Sequence, residues 1–125
     1  MAQLGRFDHV DFRVRDVKKV RRFYDALMPA LGFTRISKGD RSRGYYNEDP
    51  REPFFWVVRS VKHVPGLGRI AFAVSSRDEV DRVARVVRRA GGKEIAGPEK
   101  IYTQPYYAVF FEDPEGNRFE VCCRR

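Results

Sequence analysis

A chain of 125 residues is the length of one domain, long enough to bury most of its apolar surface in one core and too short for two ordinary cores. Its 42% hydrophobic and 14% aromatic content fits a globular protein, and no window approaches the ~18 uninterrupted apolar residues of a membrane span. The net charge of +8 permits an anionic partner, but the basic residues are spread over most of the chain instead of forming one run with interleaved aromatics, so nucleic acid is not the expected one.

The residues before Phe7 contain no apolar leader. Phe7–Val14 alternates, with Val10, Phe12 and Val14 on one face and His9, Asp11 and Arg13 on the other, as a half-buried strand does. Asp16 stands at a helix N-cap, and Val17, Val20, Tyr24, Leu27 and Leu31 recur at helical spacing. Pro29 is expected to loosen the last turn and Gly32 to end it. Residues 33–37 read as a second strand, and the polar, glycine-bearing run from Lys38 to Gly44 as a loop or irregular hairpin. Tyr45 and Tyr46 open a short third strand, and Phe54–Val58 makes a fourth.

After the connector Val64–Gly68, Arg69–Val74 alternates again, with Ile70, Phe72 and Val74 together. Ser76 with Glu79 three residues on has capping-box spacing, and Val80, Val83, Ala84, Val87 and Ala90 form the stripe of a second helix ending at Gly91-Gly92. Its arginines Arg82, Arg85, Arg88 and Arg89 read as a solvated face. Residues 93–101 read as a strand interrupted at Gly97-Pro98. The chain closes on a hairpin whose turn is Asp113-Pro114-Glu115-Gly116, followed by the alternation Arg118-Phe119-Glu120-Val121. Cys122 and Cys123 are neighbours on a strand and point to opposite faces, which disfavours a disulfide between them. Two reduced thiols and the missing leader set the expectation of a cytoplasmic protein.

Sliding the sequence by 60 residues lays His9–Val14 on Arg69–Val74 and keeps Val20 on Val80, Leu27 on Val87 and Gly32 on Gly92. Each half therefore reads strand, helix, three strands, and the predicted architecture is α+β: a single domain over 1–125, with module one at about 5–61 and module two at about 67–125. Two such βαβββ modules are expected to form a curved, mostly antiparallel sheet around a cavity, with the helices outside. The polar faces of the first, fifth and eighth strands carry His9, Asp11, Arg13, Arg69, Arg118 and Glu120, a face that must be wet or occupied by a ligand. Of the aromatics Tyr45, Tyr46, Phe54, Trp56, Tyr102 and Tyr107, most are expected in the core and a subset on the cavity wall.

With Asp8-His9-Val10 opening the first module, Gly68-Arg-Ile-Ala-Phe-Ala-Val74 the second, and Asp113-Pro-Glu-Gly-Asn-Arg-Phe-Glu120 closing the chain, the sequence resembles the vicinal oxygen chelate superfamily. That group contains glyoxalase I, fosfomycin-resistance enzymes, extradiol dioxygenases and bleomycin-resistance proteins. The resemblance implies a divalent ion held by His9 and Glu120 with a second histidine at the start of the fifth strand, where this chain has Arg69. A guanidinium cannot ligate a metal, nor can Phe55 or Trp56 at the fourth-strand position. His63, six residues before Arg69, is a poorly placed substitute.

The expected function is thus a small, anionic or aromatic molecule bound in the sheet cavity without a cofactor. His9, Asp11, Arg13, Trp56, Arg69, Tyr107 and Arg118 would contact it, and Glu120, paired with Arg69 or Arg118, would serve as a general base if a reaction occurs. The alternative is a divalent-metal lyase, isomerase or dioxygenase using His9 and Glu120. The resemblance also implies a homodimer.

Overall fold

The computed structural model describes residues 5–100 and 105–125. The expected Tyr102 and the end of the sixth strand at Ile101 lie outside them. In chain order the elements are β1 (His9–Val14), α1 (Val17–Ala30), β2 (Arg35–Lys38), β3 (Ser42–Tyr46), β4 (Phe54–Arg59), β5 (Arg69–Ala73), α2 (Arg77–Arg89), β6 (Lys93–Lys100), β7 (Tyr107–Glu112) and β8 (Arg118–Cys123). The 60-residue repeat survives to the residue, since β1 and β5 start that far apart and so do α1 and α2. Each module forms its own four-stranded sheet, ordered β1-β4-β3-β2 and β5-β8-β7-β6. In both, the first strand runs parallel to the fourth and the remaining pairs are antiparallel.

Asp16 caps α1 by accepting from the amides of Lys18 and Lys19 at 3.0 and 3.4 Å. Pro29 does not stop the helix early: α1 runs one residue beyond it, because proline in a last turn removes only one intrahelical bond, and Gly32 then takes φ +99°. Strand β3 begins at Ser42, inside the run read as a loop. The cause is non-local. Arg43 faces α1, where its Nε and Nη2 donate to Asp25 at 2.9 and 2.7 Å, and Tyr45 donates its hydroxyl to the same carboxylate at 2.7 Å. Strand β6 passes through Gly97-Pro98 unbroken, with register shifts against β7 absorbing extra residues.

Burial pushes the Asp25 carboxyl up, but the hydrogen bonds from Arg43 and Tyr45 outweigh it and the net pKa lies below the ordinary value. A depressed folded pKa contributes stability that is present above the unfolded value, ~3.9, and is lost as pH falls through the folded one. Urea unfolding of Asp25→Asn should therefore show less loss of stability than the parent as pH falls below about 4; an identical acid slope would remove Asp25 from the balance.

The two modules share one core. Phe12 of β1 meets Phe119 of β8 at 5.2 Å between ring centroids, and Phe55 of β4 meets Phe72 of β5 at 6.0 Å. Phe23 and Tyr24 of α1 pack edge to face above them, and burying each such ring contributes about 2 kcal/mol. The helices also cap one another: Arg22 of α1 donates to the Arg89 carbonyl ending α2 at 3.1 Å, and Arg82, its counterpart in the repeat, donates to the Ala30 carbonyl ending α1 at 2.8 Å. A cation on the last carbonyls of a helix satisfies an orphan acceptor and suits the helix dipole. Arg82 is therefore a bond between modules and not part of a solvated face.

The closing turn is a second bond between modules. Buried Glu115 accepts from the amides of Arg15 and Asp16 at 2.7 and 2.8 Å, fixing the β1–α1 junction. Fully buried Asp113 accepts from the Tyr24 hydroxyl at 2.6 Å, from the amides of Glu115 and Asn117, and from Asn117 Nδ2.

Candidate functional site

Strand alternation sends the large apolar residues toward the helices, which leaves the other face of each sheet to carry the polar set. In module one that face holds His9, Asp11 and Arg13 of β1 beside Phe54, Trp56 and Val58 of β4, paired row by row. His9 stacks on Phe54 at 4.7 Å with 7° between the planes, and Phe54 stacks on Tyr46 at 5.1 Å, so three rings lie side by side across β1, β4 and β3. The absence of a side chain at Gly44 allows this, because a Cβ there would lie 2.6 Å from the Tyr46 ring. Trp56, opposite Asp11, is 39% exposed.

In module two the same face holds Arg69 and Ala71 of β5, Arg118 and Glu120 of β8, and Phe110 and Glu112 of β7. Arg69 lies 4.7 Å over the centre of the Phe110 ring. It lines two adjoining clefts. One, of about 460 Å³, is mainly apolar and is shared with His9, Phe54 and Phe72. The other, of about 410 Å³, is shared with Phe110, Arg118, Glu94 and Glu112. His9, Arg69 and Arg118 are thus brought together through Arg69, with Asp11, Arg13 and Trp56 farther along the face of module one.

Two sequence expectations need correction. Glu120 does not pair with Arg69 or Arg118; it is buried and accepts a hydrogen bond from the Tyr106 hydroxyl, which the Arg124 guanidinium overlies at 4.7 Å from the ring centre. Burial, and then the bond to Glu120, push the Tyr106 phenol up, so it remains a donor. Tyr107 is on the helix side, donating to Asp81 of α2 at 2.6 Å with Arg77 above its ring. Tyr106 is the residue that counting parity from Val109 and Phe111 would have placed on the ligand face. His63 Nε2 lies 2.8 Å from Asn117 Oδ1, tying the connector to the closing turn and away from Arg69.

The sequence model of the Glyoxalase/Bleomycin resistance protein/Dioxygenase superfamily matches residues 6–121. The chain belongs to that superfamily. Among solved structures of the superfamily fold, a glyoxalase/bleomycin resistance protein from Albidiferax ferrireducens T118 is 24% identical, with TM-score 0.78 over 95% of this chain and 98% of its own. The fosfomycin resistance protein FosX from Mesorhizobium loti is 18% identical, with TM-score 0.68 over 98% and 93%. FosX from Listeria monocytogenes is 14% identical, with TM-score 0.71 over 97% and 94%. These likenesses concern the fold. No curated protein sequence matches the chain.

The superfamily's divalent ion does not fit these residues. His9 Nδ1 lies 2.7 Å from Asp8 and its Nε2 3.7 Å from Asp11. The Asp8 hydrogen bond raises the imidazole pKa above its ordinary value, desolvation opposing; with Nδ1–H held by a carboxylate, Nε2 is the ring's one ligating atom, and a single imidazole is too few for a metal site. Glu120 is engaged by Tyr106, and Arg69 supplies a cation in place of a donor. Among the described residues no three His, Cys, Asp or Glu side chains are grouped to hold a metal. No helix among them is long and apolar enough to cross a membrane.

Proposed function

We propose that this superfamily member binds a small anionic molecule with an aromatic or apolar body, and that it does so without a metal ion. The observation that carries this reading is the placement of Arg69: its guanidinium borders both clefts and stacks on Phe110, offering a fixed fork of donors beside apolar walls. Glu94, Glu112, Arg118 and Arg69 form no ion pair among the described residues, so the cation is available to a ligand anion. His9 and the Phe54 and Phe72 rings give the body of the ligand flat surfaces to pack against. In the proposal Asp11, Arg13 and Trp56 form the distal wall, and Glu120, buried and held by Tyr106, serves as the general base if a bound molecule reacts.

Titrating the purified chain calorimetrically with 3-phenylpropanoate, with and without EDTA, is the test. One-to-one binding indifferent to the chelator is expected. Stoichiometric metal that is lost in His9→Ala, with a melting temperature that falls on chelation, would sink the proposal in favour of a metal-dependent enzyme.

The exposed Phe7, Val64 and Leu67, 88, 77 and 84% accessible, support association into a homodimer in the same proposal. Light scattering should return twice the 14.6 kDa chain mass.

A further inference from the structure

The cleft that Arg69 shares with Arg118 has a charge arrangement that a simple anion does not use. Arg69 and Arg118 are register partners on β5 and β8, and Arg118 is in turn opposite Glu112 on β7. Glu94 completes the rim. It reaches the cleft through an irregularity in β6: Lys93 pairs with Glu112 and Ala96 with Phe110, so three steps along β6 match two along β7 and one residue is extra. Within that bulge Glu94 adopts φ +49°, the one positive φ at a non-glycine among the described residues. Such a conformation is strained, and a bulge of this kind re-aims a side chain. The result is a cleft of about 410 Å³ lined by two guanidinium groups from β5 and β8, two carboxylates from β6 and β7, and the Phe110 ring over which Arg69 lies.

We propose that this cleft selects a zwitterion, a small molecule carrying a carboxylate and an ammonium group on an apolar skeleton, of the α-amino acid class. The carboxylate lies against Arg69 and Arg118, the ammonium against Glu94 and Glu112, and the skeleton beside Phe110, whose ring Arg69 overlies. Four charges that would otherwise face each other unpaired are then matched by one ligand, which is how electrostatic complementarity confers selectivity. This rests on the binding function proposed above and specifies its ligand.

The experiment uses three probes with one skeleton: L-phenylalanine, 3-phenylpropanoate, which lacks the ammonium, and phenethylamine, which lacks the carboxylate. Calorimetric titration of the full chain should find L-phenylalanine at least about tenfold tighter than either analogue, the scale of one charge-assisted hydrogen bond. In the double variant Glu94→Gln, Glu112→Gln that advantage should vanish while 3-phenylpropanoate binds as tightly as before or tighter, its melting temperature confirming that the variant is folded. If 3-phenylpropanoate binds the parent as well as L-phenylalanine does, zwitterion selection is overturned and anion binding at Arg69 stands. An advantage that persists in the folded double variant also overturns it. If none of the three binds, both readings fall.

Discussion

Asp113→Ala should lower the melting temperature by roughly 12 °C, the largest stability loss expected of any single substitution in the closing hairpin. Asp113 has no exposed surface, and its carboxylate is the acceptor for four donors: the Tyr24 hydroxyl, the Glu115 and Asn117 amides, and Asn117 Nδ2. Removing it leaves these donors without the acceptor, at about 1 kcal/mol or more each after partial relaxation, or about 4 kcal/mol together. For a domain of this size each kcal/mol shifts the midpoint by about 3 °C. Burial, reinforced by Asp113, pushes the Tyr24 phenol well up, so it donates over the whole accessible pH range and the loss should not depend on pH near neutrality. Tyr24→Phe removes one donor and leaves the carboxylate its other three, so it should cost only about 1 kcal/mol. A calorimetric scan of Asp113→Ala within about 3 °C of the parent would show that water or a shifted turn replaces the carboxylate, and that the hairpin is not the clasp described here.

That clasp also marks the limit of what the sequence discloses. Asp113-Pro114-Glu115-Gly116 is legible as a turn because Pro and Gly restrict or free φ locally. Its second role depends on Tyr24 and Arg15, about 90 and 100 positions away, and no local pattern encodes such a meeting. The two-module plan is legible for the opposite reason: strand parity and helical stripes repeat at one offset, and short-range periodicity suffices to see them. Arg43, Arg82 and Arg22 defeated that kind of reading, since an arginine at a polar position looks the same whether it faces water, an aspartate on another element or the end of a neighbouring helix.

At the site, parity correctly gathered Arg69, Arg118 and Glu120 on one face, because they lie in a regular ladder. Tyr107 was misplaced by one residue, which in a strand exchanges faces. Glu94 could not be found at all, since its orientation comes from a bulge that only the pairing of β6 with β7 reveals.

Arg69→Gln should weaken 3-phenylpropanoate binding by roughly 10- to 100-fold while leaving the melting temperature within about 2 °C. The loss follows from the strength of hydrogen bonds to charged groups, about 1.5–3 kcal/mol, which glutamine cannot supply to a carboxylate. The unchanged stability follows from the native contacts of Arg69, which is exposed, forms no ion pair among the described residues, and touches Phe110 only through the face of the ring. Binding and folding therefore separate at this residue. Arg69→Lys should fall between the parent and Arg69→Gln, since an ammonium keeps the charge but not the planar fork that meets both carboxylate oxygens. The salt dependence of the parent should be modest, because only the two cations Arg69 and Arg118 are engaged, and weaker still in Arg69→Gln. If both variants bind 3-phenylpropanoate as the parent does, the ligand anion is held elsewhere, and the guanidinium at the head of β5 is a surface charge resting on Phe110.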